Sequence, residues 1–114
     1  MSQIKIQEQI GGTIISMKGQ FVGGEETDQL RDALREISNT QKNKLIIDLK
    51  ETSYLNSTAL GVLISAHASF IKKDGKIILC NISKSIENIF VITKLTMVFT
   101  IAENLDLAIK ELSN

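Results

Sequence analysis

The run Leu45-Ile46-Ile47-Asp48-Leu49 is followed, after a short polar interval, by Asn56-Ser57-Thr58-Ala59-Leu60-Gly61-Val62-Leu63. A continuous apolar run bounded by charge on both sides predicts a strand covered on both faces, not one with a wet side. The polar interval then reads as a short connection that delivers Ser57 and Thr58 to the first turn of a helix. A serine there is exposed and lies against backbone N–H groups that have no intrahelical partner. It can carry a phosphate without disturbing a core.

The rest of the chain supplies layers to cover that strand. Ile4, Ile6 and Glu8 alternate, and Gly11-Gly12 leads into Thr13–Met17, which together predict an N-terminal β-hairpin. Gly19 and Gly23-Gly24 mark the next loop. Leu30, Ala33, Leu34 and Ile37 follow helical spacing over residues 25–38, and Glu25, Glu26 and Asp28 suit the positive end of that helix. A second helix, apolar nearly all round at Leu60, Val62, Leu63, Ile64, Phe70 and Ile71, runs from Ser57 to about Lys72. Asp74-Gly75 turns the chain into a strand over residues 76–80. A third helix ends near Thr93 with Ile86, Ile89 and Phe90 inward, a short edge strand covers 98–101, and a closing helix covers 103–112. This order predicts an α/β fold: one domain over residues 1–114, with an open mixed sheet of about four or five strands and about four helices packed on it. The N-terminal hairpin is antiparallel, and the strands joined by the two strand-helix-strand crossovers are parallel and right-handed.

Composition excludes several classes of function. Thirteen basic residues balance thirteen acidic ones, and no basic cluster exceeds the Lys72-Lys73 pair, which argues against a nucleic-acid partner. No apolar stretch approaches the roughly 20 residues needed to span a bilayer, so no membrane insertion is expected. A single cysteine, Cys80, offers no internal disulfide, and no leader-like segment opens the chain; a cytoplasmic location is the simplest expectation.

Asp48-Leu49, five residues, then Leu55-Asn56-Ser57-Thr58-Ala59-Leu60-Gly61 resembles the signature of STAS domains, the family of the bacterial anti-sigma factor antagonists. The resemblance extends along essentially the whole chain. It implies a module that binds an anti-sigma factor with serine kinase activity, with Ser57 as phosphoacceptor and a serine phosphatase as the restoring partner. Asn56 and Thr58 flank the acceptor, and the segment Gly19 to Gly24, with Phe21, Val22 and Gly23, completes the implied docking surface. Asp48 is expected to accept loop N–H bonds or to contact the partner. Three positions depart from the family pattern. Asn56 stands where an acidic residue is usual, Ala59 where glycine is usual, and Gly19-Gln20-Phe21-Val22 lacks the acidic residues of the corresponding loop.

An enzyme is not expected. His67 lies ten residues from Ser57 on the same helix, about 15 Å away at about 1.5 Å per residue, too far to activate the hydroxyl. A receiver-type aspartate at Asp48 would need an acidic pair after the first strand, where this chain has glycines. Gly23-Gly24 lacks the Gly-Lys-Ser/Thr continuation of a phosphate-binding loop, and no residue set completes a metal site. Neither a cofactor nor a metal is expected. Cys80 reads as a small buried hydrophobe, and Met97-Val98-Phe99 as the packing of a short strand. The bland reading of Asn56 or Ser57 is a helix N-cap, which is compatible with phosphorylation next to it. Two other classes of function remain: a constitutive, unphosphorylated scaffold subunit of a transporter or sensory complex, and a small-ligand or nucleotide-binding module at the strand ends. Exposed strand edges also allow a homo-oligomer.

Overall fold

A computed structural model describes residues 3–9 and 11–113. Its five strands are β1 (Gln3–Gln9), β2 (Gly12–Phe21), β3 (Lys44–Leu55), β4 (Lys76–Cys80) and β5 (Thr100–Ala102), ordered β1-β2-β3-β4-β5 in one sheet. β1 and β2 are antiparallel; every later neighbouring pair is parallel. The helices are α1 (Glu25–Ser38), α2 (Ser57–Lys72), α3 (Lys84–Ile92) and α4 (Leu105–Leu112). The mixed sheet and four helices agree with the sequence expectation, and β4-α3-β5 adds a third parallel connection to the two expected.

β3 occupies the centre for the reason its sequence suggests. Leu45, Ile47 and Leu49 enter the large core beneath α1, α2 and α3, while Ile46 joins Ile14, Ile78, Cys80, Ala108 and Leu112 beneath α4. Alternating side chains point to opposite faces, so one apolar run requires two covering layers. Phe21, Leu30, Leu63, Phe70 and Phe90 close the larger core without exposure. On the outer face of α2, Ile64 and Ile71 are exposed, so that helix is less completely buried than its composition implies.

The interval after Leu49 is not a connection. β3 continues to Leu55, because the ten-residue β2 remains beside it as a partner. The pairing absorbs extra β3 residues at irregularities between Ser16 and Lys18 and between Gly19 and Gln20. A polar segment can stay extended here because Thr52, which is buried, donates its hydroxyl to the Met17 carbonyl at 2.8 Å. Gly19 accordingly lies within β2, opposite Thr52, and not in a loop; its φ of +96° at the irregularity suits glycine alone.

Other boundaries shift by local chemistry. Ser83 caps α3 through the Ile86 amide, and Asn104 caps α4 through the Leu107 amide, which delays the start of α4 to Leu105. Residues 95–97 form a 3₁₀ turn entered through Lys94 at φ +62°, so the edge strand begins at Thr100. Phe99 is core, whereas Met97 and Val98 are exposed, contrary to the packing expected of them. Cys80 is fully buried, and burial together with nearby Asp48 pushes its thiol up to about 12.

The exit from α2 depends on Gly75. A Cβ built there would lie 2.7 Å from both the Asn43 and Phe70 carbonyl oxygens, whereas one at Gly61 would meet nothing within 4 Å. Gly75→Ala is therefore expected to destabilise the protein by about 1–3 kcal/mol through forced backbone movement. Gly61→Ala, inside a helix and unobstructed, should stabilise it by about 0.5–1 kcal/mol. Urea unfolding midpoints of the two variants check both signs.

Candidate functional site

The ends of β2 and β3 converge on the start of α2. The Asn56 amide donates to the Phe21 carbonyl at 3.1 Å, tying the last residue of β2 to the residue that precedes α2. The Asn56 side chain then accepts from the Ala59 amide at 3.1 Å, and its carbonyl accepts from the Leu60 amide. Asn56 is thus the N-cap, which leaves Ser57 as the first helical residue. Ser57 and Thr58 are exposed, and the Ser57 hydroxyl has no hydrogen-bond partner among the described residues.

Opposite this turn stands the segment Val22-Gly23-Gly24. Gly23, at φ +92°, approaches the Thr58 side chain so closely that a Cβ would touch it at 3.5 Å. Gly24 caps α1 but has no side chain to do so. Glu26 instead holds the preceding loop from within the helix: its carboxylate accepts from the Thr27 hydroxyl at 2.7 Å, the Val22 amide at 3.0 Å and the Gly24 amide at 2.9 Å. The Thr27 oxygen in turn accepts from the Gly23 amide at 2.8 Å. The Thr27 hydroxyl and the Val22 amide hold the Glu26 carboxyl down to about 2. Nothing in the local sequence marks Glu26 and Thr27 as site residues. The signal the sequence carries is an acid in the first turn of a helix preceded by glycines.

The two helix starts differ electrostatically. α1 carries Glu25, Glu26 and Asp28 in its first turn, whereas α2 carries no acid there. The positive end of α2 is therefore uncompensated and exposed at Ser57, the chemistry that favours a covalently added anion.

Of the residues implied by the sequence, Asn56, Ser57, Thr58, Val22, Gly23 and Gly24 come together. Phe21 is at the junction but completely buried, so it positions the loop and offers no surface to a partner. Gly19 remains in the strand. Asp48 is not with the group either: it lies on the α4 side of the sheet, accepting from the Lys50 amide and the Asn81 side-chain amide, both at 3.0 Å. There it lines a cavity of about 410 Å³ with Gln3, Lys5, Ser16, Lys18 and Lys50, away from Ser57. His67 is separated from Ser57 by an unbroken helix and packs edge-on against Phe99, with ring centroids 5.2 Å apart.

The STAS domain family model matches residues 2–108. The chain belongs to the STAS domain family. An anti-sigma-B factor antagonist of Listeria monocytogenes is 32% identical over 85 residues, spanning 71% of this chain and 75% of the relative. The structure of an anti-sigma factor antagonist from Mycobacterium paratuberculosis superposes with a TM-score of 0.88 at 19% identity, covering 100% of this chain and 96% of the other. The Bacillus cell fate determinant SpoIIAA in its phosphorylated form superposes with a TM-score of 0.75 at 17% identity, covering 98% and 99%. These structural likenesses establish that the STAS fold seen here is shared along the chain. Among the described residues of this STAS domain, no helix is long and apolar enough to cross a membrane.

The clasp around Glu26 makes a pH prediction. Its carboxyl is depressed from an ordinary value near 4.5 to about 2. The unfolded chain therefore binds the proton first, so the clasp contributes stability above about pH 4.5 and loses it as the pH falls toward 2. Glu26→Gln should be less stable than the native protein at pH 7, and the difference should shrink across that window in thermal melts.

Proposed function

We propose that this STAS domain is a phosphorylation-switched protein-binding module that acts as an anti-sigma factor antagonist, with Ser57 as the phosphoacceptor. The observation that carries the reading is the unengaged, exposed Ser57 hydroxyl on an uncompensated helix start whose capping is done by Asn56. The names of the Listeria relative and of the phosphorylated Bacillus structure support it. The partner is an anti-sigma factor with serine kinase activity, and a serine phosphatase resets the switch.

The physical mechanism needs no rearrangement of the domain. Phosphorylation adds about −1.5 to −2 charges at pH 7. At the start of α2 that charge meets the free amides and the helix dipole, which favour it by about 0.3–1 kcal/mol. The domain therefore tolerates the group, and its effect falls on whatever covers Ser57, Thr58 and the Val22–Gly24 segment. A partner seated there must desolvate the phosphate or meet it with like charge, and dissociates. The kinase supplies the catalytic base, so no histidine near Ser57 is required. Asn56 caps the helix while remaining neutral, so neither sequence neighbour of the acceptor carries a carboxylate. Val22, about half exposed, is the apolar contact at the centre of the surface.

Purified full-length variants and the kinase encoded by the same host test this reading. Ser57→Ala should bind with near-native affinity and resist loss of binding on incubation with ATP. Ser57→Asp should bind at least about tenfold more weakly, while its stability stays within about 0.5 kcal/mol of native, since the site is exposed. Equal affinity of the two variants would overturn the switch and favour a constitutive scaffold.

A further inference from the structure

The two edges of the sheet are built differently. β5 is three residues long, a length that discourages pairing with another chain. β1 runs seven residues with no register shift against β2 and with no proline. Helix cover is slight: among its described residues Ile4 alone is partly covered, packed against the core beneath α1, and Ile6 is 49% exposed. Natural edge strands are usually shortened, bulged or covered, whereas β1 is neither short nor bulged and is covered only at Ile4.

The hydrogen-bond parity of this edge follows from the hairpin. Gln9 pairs with Gly12 across a two-residue connection, and the residues flanking such a connection exchange both N–H···O bonds. Gln3, Lys5, Gln7 and Gln9 therefore bond inward to β2, while Ile4, Ile6 and Glu8 turn their backbone N–H and C=O outward. Ile4 and Ile6 lie opposite the core residues Met17 and Ile15, so their side chains share the helix-covered face of the sheet. The other face of the strand presents Gln3, Lys5 and Gln7.

We propose that β1 is a homodimerisation edge that pairs antiparallel with β1 of a second copy across a two-fold axis at Ile6, joining the two five-stranded sheets. A two-fold perpendicular to a continuous sheet requires each residue to face one of the same parity, which leaves few registers. Centring on Lys5 would set two ammonium groups directly opposite one another, which is destabilising. Centring on Gln7 engages only the outward groups of Ile6 and Glu8. Centring on Ile6 engages all three outward residues: Ile6 faces its own copy and Ile4 faces Glu8 of the other. It also sets Lys5 opposite the neutral Gln7, so no like charges are directly paired. Glu8 is held back on its own chain by the Thr13 hydroxyl and Lys42, which keeps its carboxylate off the seam. Ile6 loses its exposure against its own symmetry mate. A contact made through one seven-residue strand edge is backbone-rich, so association is reversible and depends on concentration.

Sedimentation equilibrium of the full chain across the micromolar range tests the proposal. The average mass should rise towards twice the monomer mass with concentration, and Ile6→Lys, which places two charges at the axis, should weaken association at least about tenfold. An unchanged thermal melt for that variant separates loss of pairing from loss of fold. Oxidation of Ile6→Cys should cross-link two copies, since facing residues of a hydrogen-bonded pair have Cα atoms about 5.5 Å apart, within disulfide reach. Ile92→Cys, on the exposed end of α3, should cross-link far more slowly. A mass that stays monomeric at every concentration, a dimer indifferent to Ile6→Lys, or faster cross-linking at position 92 would each overturn the proposal.

Discussion

The architecture depends on burying β3 on both faces. Each of its core side chains, among them Ile46, Ile47 and Leu49, contributes about 1.5–3 kcal/mol by leaving water. A domain's net stability is only about 5–15 kcal/mol, so no single covering layer is dispensable. α1, α2 and α3 cover one face, and α4 covers the lower part of the other with Ala108 and Leu112. Once β3 is central, β2 and β4 must flank it in parallel, and every helix that follows a strand starts at the same end of the sheet. The start of α2 therefore emerges beside the loop that ends β2.

That juxtaposition is held by short-range chemistry. The Asn56 amide on the Phe21 carbonyl fixes the distance between the two segments, and the Glu26–Thr27 clasp fixes the shape of the Val22–Gly24 turn. At the far end of the same helices, the Lys73 ammonium donates to the Ser38 carbonyl at 2.9 Å and lies 4.5 Å above the Phe70 ring, closing the end of α1 against α2. With both ends secured, Ser57 is left as an exposed hydroxyl on a well-held support. A modification there alters the surface more than the fold, as a switch that regulates binding requires.

Much of this was legible in the chain. The bounds of α1, α2 and β4 follow from apolar spacing and from the Gly-Gly and Asp-Gly punctuation, because those patterns report burial directly. The continuation of β3 past Leu49 was not legible, since Lys50–Tyr54 is polar and held extended by a longer neighbour and by one buried threonine bond to Met17. Gly19 misleads for a related reason: a positive φ can serve an irregularity in a strand as well as a turn. Within the site, Ser57, Asn56 and Thr58 could be read from local sequence. Asp48 could not be placed, because its distance from Ser57 depends on how far β3 extends. Glu26 and Thr27 act through a loop geometry that spacing alone does not reveal.

The central claim is that Ser57 carries a regulatory phosphate. Its most direct test is intact mass with phosphosite mapping on the protein isolated from its own host during growth and under stress. The account predicts a fraction heavier by one phosphate, localised to Ser57, whose size changes between the two conditions. Absence of phosphate at Ser57 in every condition, in cells where the partner complex forms, would contradict it.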